Sequence, residues 1–136
     1  MTRFVRILAS ACTGALLLGM AAHAQPPEAP EAPPEPRAAP LHLISELAET
    51  LGRAHAVRTV CNGDQDGTWR NYMLNMMSYE APSGPRRAAI TEAFNRGFRS
   101  QTRDTPDCND ASSRIEASIA ARGKELSDTI ARTYMD

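Results

Sequence analysis

Cys61-Asn62-Gly63-Asp64-Gln65-Asp66-Gly67-Thr68-Trp69-Arg70 is the stretch on which the fold turns. Its glycines and aspartates mark a polar turn. Before it, Leu43, Ile44, Leu47, Ala48, Leu51, Ala54 and Val57 recur with the 3.6-residue period of a buried helix face. After it, Trp69, Tyr72, Met73, Met76 and Met77 do the same. The stretch therefore ends one helix, from Leu41 or Ser45 to Val60, and begins another, from Thr68 to Tyr79. Asp66 or Thr68 is placed to cap the second by accepting a bond from an unpaired first-turn N–H.

Working outward, Pro82, Gly84 and Pro85 break the chain. A third helix is predicted from Pro85 to Thr102, capped by Ser83, with Ile90, Ala93, Phe94, Gly97 and Phe98 on its face. Glycine in mid-helix costs stability relative to alanine, so Gly97 points to a close approach by another helix. Thr105-Pro106-Asp107-Cys108 is a loop. A fourth helix from Asp110 to Tyr134, with Asn109 or Asp110 as its cap, carries Ile115, Ile119, Leu126 and Ile130. Arg122 falls in a gap of that stripe, where its stem covers the edge of the seam.

No stretch has the alternation of a strand, so the expected fold is all-α: a small antiparallel bundle of about four helices over residues 41–136. In that arrangement Cys61 and Cys108 lie at the same end. They are also the even pair that an exported chain oxidises. A disulfide between them stabilises the fold by ~4 kcal/mol in chain-entropy terms. That is a large share of the stability of so small a domain.

Export is read from residues 1–24. Arg3 and Arg6 precede an apolar run from Ile7 to Met20, and Ala22-His23-Ala24 supplies a small-x-small cleavage site. The run is too short for a comfortable membrane span. Cys12 lies inside it and is expected to leave with it. Residues 25–40 then hold seven of the chain's ten prolines, which excludes helix and ladder and makes this segment an extended linker of up to ~50 Å. Across its 136 residues the chain has a net charge of -1 and a single lysine, Lys124. The basic excess of a nucleic-acid binder is missing.

Several residue patterns carry chemistry. Asn62-x-Asp64-x-Asp66-Gly67 matches the first half of a calcium loop, but Met73 stands where the closing bidentate glutamate belongs. A turn and helix cap is the preferred reading. Met73, Met76 and Met77, with His55, are soft enough to hold copper(I), yet methionines at helical spacing are ordinarily core filler. His55 follows Leu51 by one turn and reads as a buried, hydrogen-bonded structural residue. Arg96, Arg99 and Arg103 share a face of the third helix and form either a docking patch or a solvated face paired with Glu92 or acids of the fourth helix. Trp69-Arg70 is a second candidate for recognition, with burial of Trp69 beside the disulfide as the alternative. Nucleophile elbow, zinc-protease, haem and phosphate-loop motifs are all missing, so neither catalytic residues nor a cofactor are assigned.

The order Leu51-Gly52-x-x-His55-x-x-Arg58-x-x-Cys61-Asn62-Gly63, then Trp69-Arg70-x-x-Met73, Glu80, Arg86-Arg87, Phe94-Asn95-Arg96-Gly97-Phe98 and Cys108 resembles a family of short exported alphaproteobacterial proteins of unknown function. The resemblance implies export and one compact domain, and it carries no activity. The function expected is that of a periplasmic binding module for an envelope protein or cell-wall component, acting through the third helix and the turn. The alternative is a periplasmic metal-binding or stress-related protein using copper or calcium.

Overall fold

The computed structural model describes residues 38–81 and 83–135. The proposed leader, Cys12 and nearly all of the proline-rich stretch lie outside them. Four helices make up the domain: α1 (Leu41–Asn62), α2 (Thr68–Glu80), α3 (Gly84–Asp104) and α4 (Ser112–Thr133). No strand occurs among the described residues.

The helix limits follow local chemistry. α1 starts directly after Pro40, and Ser45 is not its cap. It ends at Gly63, whose φ of 87° lies in the left-handed region where a side chain is strained. Asp66 Oδ1 accepts the Thr68 N–H at 3.1 Å and so serves the start of α2. Ser83 precedes α3 but makes no side-chain cap bond, and Pro85 occupies the first turn. α4 begins two residues later than Asp110. Asn109 Oδ1 accepts the Ala111 N–H at 2.9 Å, closing an Asx turn ahead of the helix.

α1 is the centre of the domain. It packs most extensively on α3, then on α4 and α2. α2 and α3 meet only briefly, and the α4 backbone approaches α1 alone. This explains why residues 54–57 are buried in succession, Ala54, His55, Ala56 and Val57, rather than on one face. The main core joins Ile44, Leu47, Ala48 and Leu51 of α1 to Met73, Met77, Ile90, Ala93, Leu126 and Ile130. A smaller cluster of Ala54, Val57 and Ile119 lies toward the end of α1, and Trp69 packs against both.

Two glycines set the α1–α3 distance. A Cβ on Gly97 would stand 2.0 Å from the Glu49 carbonyl oxygen, and one on Gly52 would stand 2.0 Å from that of Phe94. The backbones are in contact, as the mid-helix position of Gly97 leads one to expect. Cys61 and Cys108 are joined, with Cα atoms 4.9 Å apart, so the end of α1 is tied to the start of α4. The start of α1 meets the end of α4, where the Ala39 N–H donates to Tyr134 Oη at 3.0 Å. Ala39, placed in the linker by composition, is only 2% exposed and belongs to the core.

Candidate functional site

At the disulfide end a polar network holds the turn. Arg58 donates to Asp66 Oδ2 at 2.9 Å and to Glu116 Oε1 at 3.2 Å. Asn62 Nδ2 donates to the same Asp66 oxygen at 2.7 Å, and Trp69 Nε1 donates to Glu116 at 2.8 Å. The Arg58 bond, then those from Thr68 and Asn62, holds the Asp66 carboxyl far below the usual carboxylate range. Asn62 and Asp66 are thus together, but a guanidinium already neutralises Asp66. Asp64 is exposed beside them. Among the described residues no group of three or more His, Cys, Asp and Glu side chains gathers as a metal site.

The soft ligands are dispersed. Met73 and Met77 fill the core, and Met77 Sδ accepts a bond from Thr91 at 3.5 Å. Met76 is half-buried and packs against that core. His55 faces α3, with its ring centroid 5.8 Å from that of Phe94 and 5.4 Å from that of Phe98. It is buried as expected, but its Nδ1 has no hydrogen-bond partner, which departs from the bonded histidine the sequence suggests. Burial first, then the Arg70 charge, lowers the His55 pKa against the opposing pull of Asp66 and Asp64.

The arginines of α3 are largely engaged at the surface. Arg96 pairs with Glu49 at 3.1 Å and Arg99 with Glu92 at 2.8 Å. Arg103 is exposed in the last turn, where its charge suits the helix dipole. Arg70 is exposed on α2. Arg86 and Arg87, by contrast, are built into the fold. Arg86 donates to the carbonyls of Glu80 at 2.8 Å and Ala39 at 2.6 Å, and Arg87 to that of Ala81 at 3.1 Å. They satisfy the open carbonyls that end α2. Glu80 completes this clasp by accepting the Tyr134 hydroxyl.

A concave groove lies between α2 and α4, with a volume of ≈ 600 Å³. Leu47 and Leu51 of α1 form its floor. Trp69, Tyr72, Asn75, Met76 and Tyr79 form one wall, and Ala120, Gly123, Lys124 and Ser127 the other. It exists because α2 and α4 flank α1 without their backbones meeting. Tyr72 is 60% and Tyr79 83% exposed. The rings of Trp69 and Tyr72 meet at a tilt with their centroids 5.7 Å apart, which turns the wall into an aromatic row. On the opposite wall Ala120, Gly123 and Ser127 are small, and Lys124 is the long side chain among them.

Of the residues that the sequence marks as binding or metal candidates, Trp69 and Met76 line this groove, and Arg70, Arg96, Arg99 and Arg103 do not. Tyr72 belongs to the apolar stripe of α2 in the sequence, and Tyr79, Asn75, Gly123 and Ser127 carry no motif. The signal for them was present: Trp69, Tyr72 and Tyr79 recur at helical spacing, more aromatic surface than one short helix can bury.

These features define a class: a disulfide-stapled, all-α domain built around a central helix, with an aromatic-walled groove between two of its neighbours. The chain belongs to the family described as Protein of unknown function (DUF2385), which matches residues 42–134. No curated protein and no solved structure matches it significantly. The match begins one residue after the start of α1 and ends one residue after the end of α4, so it spans the helical domain.

Proposed function

We propose that this protein is an exported binding module of the cell envelope, and that it engages a peptide segment of an envelope protein in the α2–α4 groove. The observation that carries this reading is the pair of Tyr72 and Tyr79, large aromatic side chains left in solvent along a groove with an apolar floor. Exposed aromatics around a concave apolar surface characterise recognition sites. The lining contains one charged residue, Lys124, which favours a mainly apolar peptide over an anionic ligand. The α3 arginines are the weaker surface, because Arg96 and Arg99 already have carboxylate partners. Support for export comes from the leader pattern of residues 1–24 and from the disulfide, which forms and persists in oxidising compartments.

A photo-crosslinking residue at Ser127, with one at Arg114 as the control, identifies the partner in envelope fractions. Binding of the purified partner is then measured directly. Tyr72→Ala combined with Tyr79→Ala is expected to weaken it at least tenfold, while Arg96→Ala with Arg99→Ala changes it less than threefold. The opposite ranking would move the site to α3. Protection of the groove by purified peptidoglycan fragments, and not by any envelope protein, would overturn the peptide assignment. Mass analysis of the mature chain tests the leader, with Gln25 as the expected first residue.

A further inference from the structure

We propose that His55 is an acid-sensitive latch on the α1–α3 seam: the neutral imidazole fits between Phe94 and Phe98, and protonation loosens α3 from α1. The geometry carries this. His55 is 8% exposed and its Nδ1 is sealed without a partner. A neutral ring keeps its proton on Nε2 and leaves only a lone pair buried at Nδ1. An imidazolium donates from both nitrogens, so a buried N–H would then lack an acceptor.

The surroundings offer no relief. The α3 segment that flanks the ring is already against α1, since a Cβ on Gly52 would meet Phe94 O at 2.0 Å and Phe98 N at 3.0 Å. α3 presents the uncharged Phe94 and Phe98 to the ring. From α2 the charge that bears on it is Arg70, which opposes protonation; from the turn, Asp66 and Asp64 favour it. Asp66 cannot turn toward the ring, because Arg58, Asn62 and the Thr68 N–H hold both of its oxygens. Glu116 of α4 is held through Oε1, by Arg58 and Trp69. The lowered pKa agrees with this geometry. As the pH falls below the ordinary histidine value, the unfolded or opened chain takes up the proton first, so the closed seam loses stability toward acid. The seam that gives way consists of the backbone contacts of Gly52 with Phe94 and of Gly97 with Glu49, the Arg53–Gln101 bond at 3.0 Å and the Glu49–Arg96 pair. The groove has no lining residue on α3.

The test is hydrogen exchange on the intact, oxidised chain between pH 7.5 and 5, corrected for intrinsic rates, with NMR titration of His55 alongside. The expected result is a midpoint below the ordinary 6.5 and an at least twofold loss of protection in α3 that exceeds the loss in α4. His55→Phe and the always-neutral His55→Gln should both abolish the difference, so failure of one variant to fold leaves the other as the control. A midpoint at or above 6.5, or an equal acid loss in a folded variant, would overturn the latch.

Discussion

Gly52 and Gly97 show how much one hydrogen atom in place of a methyl group decides. Elsewhere in a helix, alanine for glycine gains roughly 1 kcal/mol. Here a methyl group at either position collides with the backbone of the facing helix, at 2.0 Å from a carbonyl oxygen. Backbone cannot rotate aside as a side chain can, so Gly97→Ala is expected to destabilise the domain by ~2–3 kcal/mol. Urea unfolding of the purified variant checks the sign as well as the size. Gly97 signals the close approach in the sequence as a mid-helix glycine on an apolar face. Gly52 stands in mid-helix as well and carries the same signal, but the facing residue is set by the tertiary structure. Asp66 makes a second residue-scale prediction. Its pKa is depressed when folded, so its contribution is present above the ordinary carboxylate value and is lost as the pH falls through that range toward the folded pKa. Asp66→Asn should flatten the acid limb of the stability profile, followed by thermal unfolding between pH 5 and 2.

At the scale of elements, α2 is the least self-sufficient helix. It spans 13 residues and buries only Met73 and Met77 within its length. What fixes its C-terminal end is Arg86, whose bonds to the carbonyls of Glu80 and Ala39 join three parts of the chain. Arg86→Ala leaves those carbonyls without their charged donor and should cost about 2 kcal/mol. The loss should be accompanied by faster hydrogen exchange at the end of α2 but not in α4. Arg99→Ala, which removes an exposed pair, should change stability by less than about 0.5 kcal/mol. Both arginines look alike in the sequence. The difference arises because Arg86 reaches acceptors 6 and 47 residues away that packing alone brings together.

For the whole molecule, the disulfide is the one covalent constraint across the helices described. It closes a separation of 47 residues and holds α4, whose backbone otherwise meets only α1. Replacing Cys61 and Cys108 together by serine should lower the stability by up to ~4 kcal/mol. Thiol titration of the mature wild-type chain under denaturing, non-reducing conditions should find no free thiol. The same constraint bears on function, since α4 supplies one wall of the groove. Loss of the disulfide is therefore expected to weaken partner binding under conditions where the domain still folds. Thermal unfolding measured beside the binding assay separates that effect from simple denaturation.

Helical periodicity and the breaks at Gly63–Gly67, Pro82–Pro85 and Thr105–Cys108 were enough to show four helices, because those signals depend on neighbours a few residues apart. The pairing of Cys61 with Cys108 was legible for a related reason: a bundle leaves few places for two cysteines to meet. Three features depended on the tertiary structure. The central position of α1, the clasp of Ala39, Glu80, Arg86 and Tyr134, and the groove between α2 and α4 all arise from segments distant in the chain. A periodic pattern states which face of a helix is buried, but not which neighbour buries it or where two neighbours stand apart. Trp69 and Tyr72 therefore read as one apolar stripe in sequence. Only the gap between α2 and α4 sets Trp69 against the core and leaves Tyr72 in solvent.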